Sequence, residues 1–367
     1  MTRNLVARWM LVGLLGLTLG AAALRAPAHD FIVTASKPDH LFVVDPETRR
    51  VVGNFRIPGA HDYVSIIVPS PHGRVAYVLV NRAESIVGMD LRTGQEVFRA
   101  DLARPGMRIE CMFAFAVSPD GKQLVAYEYR TRIGVDQYTV EPPVFAVYDT
   151  AAGLHAKPMR TFQAPRRIEM LLAGLNGHSF YALGFNLYRF DFTTGRLLER
   201  KGILDWHRPG HTAPDMLAFW PVTEPTGVFA SPVYSTLTGP GRPPGGIPET
   251  SLMTLDLRTG MLAYHDFGRT TAPIFSTVLS PHRRWAYGAY TELTKINTRR
   301  WSVAQQIELP HTYYSVNISS DGKSVYVGGA MCDIAIYDAA DLHQTGDVRL
   351  PGCGDQALAT LRVIQRR

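Results

Sequence analysis

The chain has 367 residues, of which 46% are apolar and 19% charged, with 32 glycines and 25 prolines; such a balance excludes a disordered chain. The formal net charge is +6, but Arg3, Arg8 and Arg25 precede residue 29 and no acid does, so setting that segment aside halves the excess. The remaining bases are scattered, mostly in turns, and form neither a phosphate-tracking stripe nor a basic tail, so no nucleic-acid partner is implied.

Residues 1–28 read as a secretory signal peptide that is cleaved. Arg3 and Arg8 form the charged start, residues 9–24 the apolar run, and Ala26-Pro27-Ala28 the small residues of a cleavage site, leaving His29 as the first mature residue. The 16-residue apolar run is shorter than the roughly 20 residues of a spanning helix; an uncleaved anchor is the alternative. The expected location is the periplasm. No Arg-Arg pair precedes the apolar run, which points to export of an unfolded chain without a loaded cofactor.

Length alone favours two domains unless the fold is all-β, and internal repetition decides the matter. One module is an alternating strand that ends in an acidic turn and restarts, as in LFVVDPETRRVV (41–52), IVGMDLRTGQEV (86–97) and LMTLDLRTGMLA (252–263). It recurs with anchors at Asp45, Asp90, Asp149, Asp191, Asp256, Asn297 and Asp338. An Asp or Asn side chain accepts the backbone N–H two residues on, and Gly94, Gly195 and Gly260 supply positive φ before the next strand. A second module precedes most anchors: a Ser/Pro/Asp/Gly turn and an aromatic, β-branched strand, as in SPHGRVAYVLV (70–80) and SSDGKSVYVGG (319–329), each preceded by a short apolar strand such as VSIIV (64–68) or YSVNI (314–318).

Each repeat is thus about four strands in about 48 residues, the size of a propeller blade. The segment after residue 29 supplies outer strands but no first strand, and ALATLRVI (357–364) is a single strand with nothing after it. The expected fold is all-β: one seven-bladed β-propeller over residues 29–367, its ring closed by pairing the C-terminal strand with the N-terminal blade. A pair of β-sandwiches is the alternative and leaves seven equal repeats unexplained. Two stretches exceed the repeat: residues 130–143 lengthen one hairpin, and residues 199–250 stretch the gap between Asp191 and Asp256, ending in GPGRPPGGIP (239–248). Loops added to a rigid scaffold are either binding elements or tolerated surface insertions.

The chain has no haem-attachment motif, Cys-x-x-Cys, dinucleotide or phosphate loop, nucleophile elbow or His-Glu-x-x-His. No catalytic residue, cofactor-binding residue or metal ligand is therefore assigned. His207 and His211 have helical spacing, but Pro209 and Gly210 between them argue for surface loop histidines over metal ligands. Tyr313 and Tyr314 precede a strand and should point to opposite faces, one into the core and one toward an opening or partner, unless both are simply packed. Asp215 is either a buried acid near a channel mouth or a turn cap. Of the three cysteines, Cys332 and Cys353 lie in turn-like settings separated by one hairpin and form the candidate disulfide, whereas Cys111 begins an apolar strand and reads as buried.

The stretches HLFVVDPETRRVV, SPDGKQLVAYEY, PDMLAFWPVTEPTGVFASPVYS, FSTVLSPHRRWAYGAY and LPHTYYSVNISSDGKSVYVGGA resemble the β subunit of quinohemoprotein amine dehydrogenase, from about residue 30 to the end of the chain. The resemblance implies a seven-bladed propeller within a periplasmic heterotrimer that oxidatively deaminates primary amines to aldehydes and ammonia. It implies a small subunit bearing cysteine tryptophylquinone and a large subunit bearing two c-type haems, with no cofactor on the propeller. The segments that carry the likeness and hold exposed-looking aromatics supply the candidates for pocket wall or subunit interface: Asp215, Trp220, Phe275, Tyr290, Tyr313 and Tyr314. The Cys332–Cys353 pair is not part of that family's pattern. The rival functions are a free-standing periplasmic propeller that binds a partner or ligand and a metal-dependent lactonase-like propeller, for which no ligand set is evident.

Overall fold

A computed structural model describes residues 29–205, 207–217 and 220–366. The expected signal peptide lies outside these residues, and among them no helix is long and apolar enough to cross a membrane.

The strands form seven antiparallel sheets arranged as the blades of a propeller. Blade 1 runs from its outer edge through Arg50–Arg56, His40–Asp45 and His29–Ser36 to Arg362–Arg366. The last of these occupies the inner position that the first strand fills in the other blades, and its register pairs His29 with Arg366 and Val33 with Arg362. The ring is therefore closed by the two ends of the repeat array, as the strand count had implied. Closure removes the free sheet edges that an open stack would present. Blades 2 to 7 begin with inner strands Val64–Pro69, Phe115–Val117, Ile168–Ala173, Asp215–Met216, Ser276–Leu279 and Ser315–Ile318.

The hydrophobic core is divided among the seams. One cluster fills each of the seven interfaces between neighbouring blades, for example Val33, Leu41, Val78 and Val87 between blades 1 and 2, and Ile32, Phe42, Tyr326 and Ile334 between blades 7 and 1. Strands buried on both faces read as nearly continuous apolar runs, such as Ser85–Asp90, buried at every position.

The acidic turns work as expected. Asp90 Oδ1 accepts the N–H groups of Arg92 (2.9 Å) and Thr93 (3.0 Å), and Asp191, Asp256 and Asn297 repeat the pattern two and three residues on. Gly94 follows at φ 71°, where a Cβ would lie 2.3 Å from the Phe55 ring.

The first long stretch is the lengthened hairpin expected from the sequence, and the second holds a hairpin of its own. Residues 130–143 extend the second strand of blade 3, Gln123–Ile133, beyond the sheet to pair with Tyr138–Val140 and Met107–Glu110. Within 199–250, Val228–Leu237 pairs along its whole length with Ile247–Asp256, so the Pro/Gly-rich segment is the tip of a ten-residue-deep hairpin.

Candidate functional site

Because neighbouring strands are antiparallel, the turns joining second to third strands lie at the same end of the ring as the connections that lead into each inner strand. That end, here the loop end, carries both long stretches. The opposite, turn end carries the tight Ser/Pro/Asp/Gly and acidic turns.

Four of the six candidate residues meet at the loop end, across blades 5, 6 and 7. Phe275 and Tyr290 stack with centroids 3.9 Å apart and planes 12° from parallel. Tyr314 lies 5.4 Å from Phe275 and 6.1 Å from Tyr290, and Trp220 lies 6.0 Å from Phe275 and 6.2 Å from Tyr314, all near-parallel. Backbone pairing fixes this array: Phe275 N–H donates to Ala289 O (2.9 Å), Tyr313 N–H to Tyr290 O (2.8 Å) and Tyr314 N–H to Gly328 O (3.1 Å). Trp220 is buried, whereas the other three rings are half-buried, so the stack has a covered edge and an open one.

Tyr313 and Tyr314 part as strand neighbours do. Tyr314 joins the stack, while Tyr313 is 1% exposed in the core between blades 6 and 7. Its hydroxyl donates to Asp333 Oδ2, its ring lies 4.1 Å from that of His311, and His311 Nε2 bonds Asp333 Oδ1 at 2.9 Å. Burial pushes the Tyr313 hydroxyl well above the usual phenol range, and the Asp333 carboxylate adds to the shift. Tyr313 is thus held away from the open surface.

Asp215 lies apart from the stack and is exposed, not buried. It lines a cavity of about 450 Å³ with Tyr234, Thr236, Glu249 and Arg269. Tyr234 separates it from Phe275: the Tyr234 hydroxyl accepts from Ile274 N–H (2.6 Å) and donates to Ile274 O (2.9 Å). Glu169, at the start of the blade 4 inner strand, was not singled out from the sequence. Although Glu169 is exposed along one side, partial desolvation and then the charge of Asp215 push its carboxyl above the usual range.

His211 corrects the expectation of a surface loop histidine. Its side chain is only 8% exposed, and Nε2 bonds Glu249 Oε2 at 2.7 Å. Among the described residues, one trio has ligand atoms close enough for a metal: Asp338, Asp341 and His343, at the turn end. Asp338 Oδ1 already accepts turn N–H groups and Asp341 is bonded to His343 Nδ1, so these atoms are engaged in the turn itself. Cys332 and Cys353 are joined in a disulfide with Cα atoms 4.7 Å apart, and Cys111 is a buried thiol.

Two further features involve residues not named as candidates from the sequence. The extended hairpin of blade 3 exposes Ile133, Val135, Tyr138 and Val140, with Val135 and Tyr138 at 108% and 75% of full exposure. The central channel, a cavity of about 430 Å³, is crossed by an ion pair. Arg362 on the ring-closing strand donates through Nε (2.9 Å) and Nη2 to Glu224 Oε1 of blade 5, and through Nη1 (2.7 Å) to Ile67 O of blade 2. Asn317 Nδ2 from blade 7 donates to Leu361 O (3.1 Å) and more distantly to Glu224 Oε2 (3.4 Å).

Six four-stranded sheets and one of six strands, closed in a ring, make the protein a seven-bladed β-propeller. No protein-family model matches the chain, and no curated protein sequence does. Among solved structures it is similar to Kuenenia stuttgartiensis hydrazine synthase, with a TM-score of 0.52 and 14% identity over 87% of this chain and 95% of that one. It is also similar to dihydro-heme d1 dehydrogenase NirN in complex with DHE, with a TM-score of 0.57 and 15% identity over 89% of this chain and 74% of that one. At such identities the likeness is one of fold.

Proposed function

We propose that this protein is the propeller subunit of a periplasmic amine dehydrogenase, a scaffold that carries no cofactor and whose loop end docks the subunits that do. The observation that carries the docking role is the apolar surface at that one end: the open edge of the Trp220, Phe275, Tyr290 and Tyr314 stack, together with the bare hairpin of Ile133, Val135, Tyr138 and Val140. Large aromatic side chains on a rigid frame supply contact area at low entropic cost and are the residues that anchor interfaces. Covering a side chain such as Val135 or Tyr138 is worth about 1.5–3 kcal/mol, so a handful suffices for a lasting complex. The amine-oxidising assignment is supported by the segments that resemble the β subunit of quinohemoprotein amine dehydrogenase, two of which contain Trp220 and the Tyr313-Tyr314 pair.

In this reading the cysteine tryptophylquinone and the c-type haems reside on the small and large partner subunits and supply the redox chemistry with a primary amine. The propeller contributes apolar wall and excludes water. Purification without a tag from the native source tests the proposal. The expected result is co-elution with a haem-absorbing large subunit and a small quinone-staining subunit, lost when Trp220→Ala and Tyr138→Ala are combined. A colourless monomer from native cells would overturn it.

A further inference from the structure

At the turn end, where the ring-closing strand meets blade 2, a cavity of about 740 Å³ is lined by Pro71, His72, Gly73, Arg74, Arg92, Gln365 and Arg366. Among the described residues its walls hold three guanidinium groups, an imidazole and no carboxylate. Two acids stand close by and both are engaged: Asp30, opposite Gln365, accepts from Ser320, and Asp90 lies behind Arg74, whose Nε donates to Asp90 Oδ2 at 3.1 Å while Oδ1 is taken by turn N–H groups. Arg92 is exposed, and among the described residues its guanidinium has no hydrogen-bond or ion-pair partner. Arg366 lies over the Phe31 ring (5.3 Å) and donates through Nε to Gly73 O (3.3 Å), yet its buried Nη2 meets no acceptor among the described residues. A buried donor without a partner carries a desolvation cost, and three guanidinium groups against the single carboxylate of Asp90 leave the space with an excess of positive charge.

We propose that this cavity is a binding site for a multivalent oxyanion, phosphate in character, held by Arg74, Arg92 and Arg366. Guanidinium groups present paired N–H donors that match the oxygen spacing of such anions, and several of them around one space suit a di- or trivalent group better than a single carboxylate. The site spans three segments: the first turn of blade 2 (His72 to Arg74), its acidic turn (Arg92) and the strand that closes the ring (Gln365 and Arg366). A bound anion therefore ties the closing strand to the neighbouring blade and favours the closed ring over the opened one.

Calorimetric titration with inorganic phosphate, at ionic strength held constant with chloride, tests the site, and a parallel titration with citrate separates a phosphate-shaped site from one that takes any polycarboxylate. The expected results are saturable one-to-one binding, a melting temperature that rises with phosphate, an approximately tenfold loss of affinity in Arg92→Ser, and loss of binding in Arg74→Ser/Arg92→Ser. Arg92 is exposed, so its replacement leaves the fold intact, and Arg299→Ser/Arg300→Ser, two exposed arginines of another acidic turn, should bind as wild type does. Absence of saturable binding, equal affinity in Arg92→Ser, or the same loss in the Arg299/Arg300 control would overturn the assignment.

Discussion

Replacing Glu224 by Gln isolates the charge that neutralises Arg362 inside the channel. The Arg362 side chain is 7% exposed and that of Glu224 22%, so the guanidinium stays buried when its counter-charge goes. Removing one partner of a buried pair costs about 3–5 kcal/mol. Glutamine still offers one acceptor and solvent reaches part of the site, which places the expected loss near the lower bound, at about 3 kcal/mol. With an unfolding entropy of roughly 2.1 cal/mol/K per residue over a domain of roughly 340 residues, that loss lowers the melting temperature by about 4 °C. Scanning calorimetry at neutral pH reads it directly. The double variant Glu224→Gln/Arg362→Met removes the stranded charge and should recover most of the loss, short by about 1 kcal/mol for the abandoned carbonyl of Ile67. A single variant within 1 °C of wild type, or a double variant less stable than the single, refutes the view that charge pairing across the channel stabilises the ring.

Three further outcomes follow from the geometry. Cys332→Ser/Cys353→Ser opens a loop spanning 21 positions and should lower unfolding stability by about 3 kcal/mol; in the unreduced wild type, maleimide should label no thiol until the chain is unfolded and exposes Cys111. Asp90 is held down at about 2 from an ordinary 3.8: burial raises it, but the N–H groups of Thr93 and Arg92 and the Arg74 guanidinium outweigh burial. A depressed acid contributes stability above its unfolded pKa that is lost as pH falls through the folded one, so urea midpoints should drop between about pH 4 and pH 2, less steeply in Asp90→Asn. In Asp215→Asn, carboxyl NMR titration should show Glu169 moving toward the usual range, because the nearby negative charge is gone; an unchanged titration would mean that burial alone raises it.

The blades were legible because their marks are local. An Asp that caps its own turn and a Gly at positive φ three or four residues later need no knowledge of the rest of the chain. The aromatics of the stack were singled out as a group only through the family resemblance, although their places in the repeat explain why they meet. Phe275 and Tyr314 each sit just before an inner strand and Tyr290 just after a second strand, so equivalent places in successive repeats bring together rings far apart in sequence. Glu169 occupies a comparable place in blade 4 and was missed because nothing beside it marks a charge partner. The pairs Glu224–Arg362 and His211–Glu249 join residues 138 and 38 positions apart, chosen by the curvature of the ring and by strand register rather than by local pattern. Residues 199–250 were read as a loop because of the Pro/Gly-rich segment at its end, although the β-branched and aromatic residues of Val228–Leu237 already favoured a strand.

The pairing of His29 with Arg366 makes the polypeptide a circle with a single nick. Each blade then has two neighbours of equal standing, and the order in which the blades are written along the chain ceases to matter to the packing. A chain rewritten to join these two positions through a short flexible link and reopened at Gly241, in the exposed tip of the blade 5 hairpin, retains every seam between blades. The nick is thus a movable attribute of the ring, and the exposed hairpin tips at the loop end are the places it can move to.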